Sequence, residues 1–321
     1  MPRRAGLFKQ AARIVLAPTL WPANVANLAA GTPDMPAAPF RFVLCADDYA
    51  LSPAVSRGIR EALAARRLSA TSVMTTQAGW PQEADALHAV ADHADVGLHF
   101  NLTLGSPLGP MPGLAPDGRL PSIATLMSAS RRGTLPGSEI AAEIARQLDA
   151  FAAHYGRPPD FLDGHQHVQI LPGIAEPVLA ELTRRGLAGK LWLRDSADRP
   201  WRALLRGVEL KKALGVALLG RGFAPAARRA GFALNDGFSG FSSFDASRDY
   251  AADFARYLAS PGARHLVMCH PGHVDDELRR LDPVTASRER ELAFLLSDAF
   301  TRTLARANAR LARFAEAGRD A

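Results

Sequence analysis

Four short runs in this chain end an apolar stretch in Asp or His. They are Leu44-Cys45-Ala46-Asp47-Asp48, Val96-Gly97-Leu98-His99, Phe161-Leu162-Asp163-Gly164-His165-Gln166-His167 and Leu266-Val267-Met268-Cys269-His270. Adjacent carboxylates such as Asp47 and Asp48 repel each other unless a cation or a shared proton intervenes. Imidazole and carboxylate donors with an open position are the ligand set of a divalent hydrolytic metal site. Taken singly the runs say less. A lone His99 among apolar neighbours reads as an ordinary core residue. His165 and His167, at i and i+2, would share one face of a strand; beside Asp163 they suggest a metal, and without it a polar strand edge. His273, beyond the turn Pro271-Gly272, reads as a loop residue. Four strand ends releasing the same residue types point to one site at one end of a sheet.

The elements that must position these residues alternate. Strands are expected at Phe40–Ala46, Ser69–Thr76, Val96–Leu104, Asp160–Gln169, Lys190–Arg194 and His265–His270, with a further short one at Gly237–Phe244. Helices are expected at Pro53–Arg67 (Ser52 as N-cap, Pro53 at the first helical position), Pro81–His93, Ser138–Tyr155, Ile174–Arg185 and Ala246–Ala259, with more within 200–230 and a long one over Thr285–Ala317. A Pro/Gly-rich loop spans Gly105–Leu120. This βαβα rhythm implies an α/β fold with a mainly parallel sheet. Six or seven strands, the first and last both apolar, favour a closed or distorted barrel over an open sheet. In a barrel the first and last strands are neighbours, so His270 should come close to Asp47 and Asp48. Strand C-terminal ends are where parallel α/β folds build their sites.

Of 321 residues, 48% are hydrophobic and 22% charged, the composition of a globular protein with ample core. Net charge is +6, from 38 Lys+Arg against 32 Asp+Glu. No nucleic-acid motif accompanies it, so no nucleic-acid partner is expected, and the charge acts on solubility and weak anion attraction. Two cysteines, Cys45 and Cys269, make no disulfide framework and fit a reducing, cytoplasmic compartment. Residues 1–38 read as an N-terminal tail, disordered or not translated, with Met35 as an alternative start. The apolar stretch Ile14 to Ala30 is interrupted by Pro18, Pro22, Asn24 and Asn27, unlike a signal peptide or a membrane span. Residues 39–321 read as a single domain.

The motifs together resemble a known family. Ala46-Asp47-Asp48-Tyr49-Ala50-Leu51-Ser52, Gly97-Leu98-His99-Phe100-Asn101-Leu102-Thr103, Asp163-Gly164-His165-Gln166-His167 and Met268-Cys269-His270-Pro271-Gly272 look like those of the YdjC-like carbohydrate deacetylases. That family includes chitooligosaccharide deacetylases and a hopanoid-biosynthesis-associated branch. The resemblance runs from about residue 40 to 300, in the family's order. It implies a distorted TIM-like (β/α) barrel and metal-dependent hydrolysis of an N-acetyl group on an amino sugar, carried by an oligosaccharide or a lipid. By matching positions, Asp48, His99 and His165 are implied as ligands of one divalent metal ion and Asp47 as the catalytic base. The resemblance suggests magnesium, whereas two imidazoles suit zinc or another transition metal better. Tyr49 replaces a usual Phe, and the long 195–235 region departs from the family pattern.

An amine leaves poorly unless protonated, so an acid is needed, and His270 is the best candidate. Asp163 or His167 is expected to orient a ligand histidine, and Arg194, after Leu191-Trp192-Leu193, to tether Asp47. Between 199 and 229 lie Arg199, Arg202, Arg206, Lys211, Lys212, Arg221, Arg228 and Arg229 against Glu209 alone, around the apolar stretch Ala213–Leu219. This reads either as a solvated helix packed on the barrel or as a peripheral contact with an anionic inner membrane face. A homodimer is compatible with the sequence. Two alternatives stand beside the deacetylase reading. One is another metal hydrolase such as a phosphoesterase, for which no phosphate-cradling Gly-rich loop is evident. The other is a non-catalytic sugar-binding barrel, which would need no adjacent aspartate pair.

Overall fold

A computed structural model describes residues 38–318, so the expected 1–38 tail lies outside the described residues except for Ala38. Nine strands form one sheet: β1 (Phe40–Tyr49), β2 (Ala70–Val73), β3 (Asp95–Phe100), β4 (Phe161–Gly164), β5 (Trp192–Leu193), β6 (Ala233–Leu234), β7 (Phe238–Ser239), β8 (His265–Cys269) and β9 (Ala309–Leu311). Eight lie in the order β6-β5-β4-β3-β2-β1-β8-β7, every pairing parallel. The two edge strands, β6 and β7, are separated by only Asn235, Asp236 and Gly237. Such a step spans at most about 14 Å, so the sheet must curl until its edges face each other. The result is a distorted TIM-like barrel, closed at that seam by the chain rather than by a ladder between the two strands.

Period-2 alternation along β1 sorts its side chains. Val43 and Cys45 face the barrel interior with Ala70, Phe161, Leu266 and Met268, whereas Phe42, Leu44 and Ala46 pack outward against the helices. Both faces are buried, which is why β1 reads as a continuous apolar run. Continued by two residues, the interior face delivers Asp47. The barrel floor is a stack of rings: Phe161 on Trp192 at 4.1 Å and Trp192 on Phe314 at 4.4 Å. Such stacks add roughly 0.5–1.5 kcal/mol each beyond area burial. Phe314 sits at the N-terminal strand ends, because its N–H donates to Asp95, the first residue of β3. Gly97 makes the floor possible, since a Cβ there would lie 2.5 Å from the Phe161 ring.

Several expected elements differ. The strand expected to run to Gln169 stops at Gly164, and His165–Ile170 is a 3-10 turn containing left-handed Gln166 and His167 (φ 53° and 62°). The long helix expected over Thr285–Ala317 is two helices, Ala286–Leu296 and Asp298–Arg306, broken at Ser297, whose extended backbone (ψ 163°) cannot continue a helix. The chain then forms β9, which pairs with Phe40–Phe42 of β1. Phe42 is matched to both His265 and Leu311, so β8 and β9 flank β1 on opposite sides. Three further elements were not expected: β6 and the helices Ile123–Arg132 and Asp276–Leu281. The 200–230 region holds three helices, Pro200–Arg206, Leu210–Leu219 and Phe223–Arg229. Among the described residues, no helix is long and apolar enough to cross a membrane.

Candidate active site and metal centre

The two adjacent aspartates do not share one cation; each has its own partners. Asp48 takes a left-handed backbone (φ 70°), where the register of β1 against β2 shifts. That twist sends the two side chains to different neighbours. Asp47 is held by the Arg194 guanidinium on both oxygens, Nη1 to Oδ2 at 2.6 Å and Nη2 to Oδ1 at 2.5 Å. Burial alone would raise the Asp47 pKa, but Arg194 outweighs it and holds the carboxyl at about 2. Asp48 Oδ2 accepts from Arg288 Nη2 at 2.8 Å. Asp48 Oδ1 faces His165 Nδ1 at 3.0 Å and His99 Nε2 at 3.2 Å. Against the cost of burial, Arg288 and His165 keep Asp48 well below the usual carboxylate range.

Asp48, His99 and His165 are buried, and one potential ligand atom from each lies within 4.8 Å of the others. They come from the C-terminal ends of β1, β3 and β4. His99 is oriented from behind: its Nδ1 lies 2.7 Å from Asp163 Oδ1 and 3.0 Å from Ser72 Oγ, leaving Nε2 toward Asp48. This carboxylate-to-imidazole contact is the usual support of a ligating histidine. The group also attracts positive charge. Burial lowers the His99 pKa, yet Asp163 and Asp48 lift it to about 10. One carboxylate and two imidazoles in a buried triangle therefore fit a divalent cation. A second acidic cluster, Cys45, Asp47 and Asp163, does not. Arg194 Nη2 already lies 3.0 Å from Cys45 Sγ, 2.5 Å from Asp47 and 2.6 Å from Asp163. That cluster has a guanidinium as its cation.

His270, which follows β8, turns toward the same centre, its Nε2 4.0 Å from Asp47 Oδ2. Burial lowers its pKa, and its Nδ1 has no hydrogen-bond partner among the described residues. His167 goes elsewhere. The expectation that it shares a strand face with His165 fails, because β4 has ended and His167 is left-handed. Its ring packs edge-on against Phe238 and Phe241 at 5.7 and 5.4 Å, where burial, then Arg194, lower its pKa to about 3. Asp163, not His167, is the residue that touches a histidine of the Asp48 group. His273 pairs with Glu61 at 2.9 Å.

Two buried residues of helix Ala286–Leu296 reach the site, neither of them part of the four motifs. Arg288 binds Asp48 and Asp282, and Glu291 Oε2 accepts the His270 backbone N–H at 2.6 Å. Their signal was present: Arg288 and Glu291 are polar at i and i+3 on the face that should have been apolar.

The site opens into a cavity of about 640 Å³. Its floor includes Asp47, Asp48, His99, His165, His270 and Arg288. Its walls are mostly apolar: Ile123 and Met127 from one helix, Ile170 and Leu171 at the end of the 3-10 turn, Val216 and Leu219 from helix Leu210–Leu219. Lys211 and Lys212 belong to the same helix wall. The 199–229 segment is thus part of the site. Its cations are not all free, since Arg202 and Arg206 are buried and bonded internally.

Parallel strands curled into a barrel, with a buried Asp–His–His group beside a tethered aspartate at their C-terminal ends, define a (β/α)-type barrel with a candidate three-residue metal site. The chain belongs to the YdjC-like protein family, whose model matches residues 41–306. A chitooligosaccharide deacetylase of Salmonella paratyphi B is 32% identical over 242 residues, 74% of this chain and 84% of that protein. A chitooligosaccharide deacetylase of Enterobacter sp. (strain 638) is 37% identical over 146 residues, 46% of this chain; the match spans 57% of that relative's length. Among solved structures, an Enterococcus faecalis V583 protein named for cellobiose-phosphate cleavage shares the fold. Its TM-score is 0.64 at 20% identity, over 87% of this chain and 98% of that one.

Proposed function

We propose that this protein hydrolyses the N-acetyl amide of an amino sugar with the help of one divalent cation. The observation that carries this reading is the cavity floor, where the Asp48–His99–His165 group, the tethered Asp47 and His270 face one space. The deacetylase names of relatives support the same reaction. Asp48, His99 and His165 are the residues that would hold the cation. When bound, a divalent ion there supplies a Lewis acid for the amide carbonyl and the attacking water.

The chain's own groups do the proton work. Asp47 is ionised at any working pH, and Arg194 fixes its direction. It accepts the proton of the water as the C–O bond forms. Burial keeps the His270 imidazole neutral at rest, so it receives that proton from Asp47, 4.0 Å away, and gives it to the nitrogen as the C–N bond breaks, leaving acetic acid, which ionises to acetate, and the free amine. The proton taken from water is the one given to the nitrogen, so both groups end as they began. Asp163 holds the His99 ring in one orientation throughout. The family resemblance points to magnesium, whereas two imidazole donors suit zinc or another transition metal better.

The walls narrow the substrate. Sugar hydroxyls left against Ile123, Met127, Ile170, Val216 and Leu219 would lose their hydrogen bonds. An amino sugar joined to an apolar aglycone suits that surface better than a longer oligosaccharide does, with Gln166, Ser242, Lys211 and Lys212 among the cavity's polar groups. The experiment is acetate release from N-acetylglucosaminyl lipid and from chitobiose, with metal added or chelated. Chelator-sensitive release, faster on the lipid-linked substrate, is the expected result. Release that survives complete metal removal would sink the metal assignment, and equal rates on both substrates would sink the apolar aglycone.

A further inference from the structure

Helix Pro200–Arg206 is inside out. Its arginines, Arg202 and Arg206, are buried. Arg206 donates to the carbonyls of Ala259 (2.9 Å), Phe238 (2.9 Å) and Ser260 (3.0 Å) and to Asp198 (2.5 Å). Arg202 pairs with Asp198 and Asp236 at 3.4 Å. The opposite face carries Trp201, Leu204 and Leu205, at i, i+3 and i+4, which are 50%, 58% and 66% exposed. Rolling the helix to hide them would break the Arg206 bonds and strand a guanidinium in the interior, a costly outcome. Their exposure is therefore built in.

The neighbouring helix Leu210–Leu219 packs against this one, has no buried residue, and exposes Leu218 at 65%. Four of the six large apolar side chains exposed among the described residues thus fall between 201 and 218. Isolated exposed leucines need no explanation, but a cluster of them marks an interaction surface. The charged side chains exposed on these helices and their flanks, Arg199, Lys211, Lys212 and Arg221, are all cationic. Glu209 is the lone acid of the 199–229 segment and lies 3.6 Å from Lys212. A second copy docking by a two-fold axis would set these like charges against each other. An anionic, apolar partner satisfies both the leucines and the cations.

We propose that this face docks on an anionic lipid surface. Trp201, Leu204, Leu205 and Leu218 enter the boundary between headgroups and acyl chains, and Arg199, Lys211 and Arg221 meet phosphates, whereas Lys212 is engaged by the Ser242 carbonyl at 2.6 Å. Trp is a preferred residue at that depth. Because helix Leu210–Leu219 also walls the cavity, docking brings the cavity mouth to the lipid. The docking itself does not depend on the proposed reaction, and it is measured without substrate.

The test is vesicle co-sedimentation of the full chain with phosphatidylglycerol-containing and with purely phosphatidylcholine vesicles, at low and high salt. Wild type should bind the anionic vesicles at low salt, at least tenfold better than the neutral ones, and lose most of that at high salt. A variant with Trp201→Ser, Leu204→Gln and Leu205→Gln should melt at the wild-type temperature and lose binding tenfold or more. Independently, anionic vesicles should blue-shift the tryptophan fluorescence of wild type, and Trp201→Phe should bind while losing the shift. No vesicle binding by folded wild type would overturn the proposal. Equal binding by the triple variant would too, as would a wild-type dimer that the triple variant splits into monomers, which would assign the face to a second copy.

Discussion

Arg288 and Glu291 stand one turn apart on helix Ala286–Leu296 and grip opposite sides of the site. Arg288 holds Asp48 Oδ2 at 2.8 Å, and Glu291 holds the His270 N–H at 2.6 Å. Asp48 ends β1 and His270 follows β8, so a single helical face ties together two neighbouring strand ends. With Oδ2 engaged, Asp48 presents Oδ1 toward His99 and His165.

Arg288→Gln should therefore leave Asp48 a buried charge without its cation. Breaking such a pair costs on the order of 3–5 kcal/mol. Added divalent metal should restore part of that loss, so the melting temperature of the variant should climb more steeply with metal than that of wild type. Calorimetry across a metal titration checks this; a variant that melts like wild type in chelator would refute the role given to Arg288.

Asp47→Asn preserves shape but cannot take a proton from water. Turnover should fall by about 10²–10⁴, the range of general base catalysis, with metal content retained. Arg194 would keep Asp163 as a partner at 2.6 Å, so the fold should survive with reduced stability. Metal loss in Asp47→Asn together with metal retention in Asp48→Asn would exchange the two roles.

His99→Ala and His165→Ala should each remove most bound metal and activity together. Ser72→Ala and Asp163→Asn, which touch His99 only from behind or beside, should weaken metal affinity by roughly 10–100-fold at most. Elemental analysis after dialysis reads both. A full metal complement in the two histidine variants would move the site elsewhere.

Glu291 gives a pH signature in stability. Burial raises its pKa to about 7, above the ordinary value of 4.5 expected in the unfolded chain. The folded state therefore binds this proton more tightly, and the stability it contributes is present below about pH 4.5 and lost as pH rises through 7. Glu291→Gln, neutral at every pH, should gain on wild type between pH 5 and 8 by on the order of 1–3 kcal/mol. Denaturant midpoints at the two pH values measure it, and a parallel shift of both proteins would contradict the burial argument.

Much of the site was legible because strands advertise their ends. Four apolar runs stopping at Asp47, His99, His165 and His270 announced a common rim, and the apolar first and last strands announced that β1 and β8 would meet. What stayed hidden depended on contacts from outside the motif. His167 was misplaced because nothing in the His-Gln-His sequence signals that Gln166 and His167 go left-handed after Gly164. Arg288 was invisible as one arginine in an arginine-rich chain, until its partner Asp48 was seen. Arg202 and Arg206 were counted as surface charge because Asp198 and Asp236, their partners, lie outside the basic stretch. Residues 309–311 carry a helical pattern, yet the open side of β1 at Phe40–Phe42 made a strand of them, tertiary pairing overriding local propensity.

The ring stack of Phe161, Trp192 and Phe314 makes the barrel blind-ended. A molecule that reaches the Asp48 group has no rear exit and must back out through the mouth it entered. Acetate, formed at the bottom, would then be corked in by the larger amine above it until that amine withdraws. Departure is thereby ordered, bulky product first and acetate second. In steady-state kinetics such a queue should make acetate, the last to leave, competitive with substrate and the deacetylated amine a mixed inhibitor.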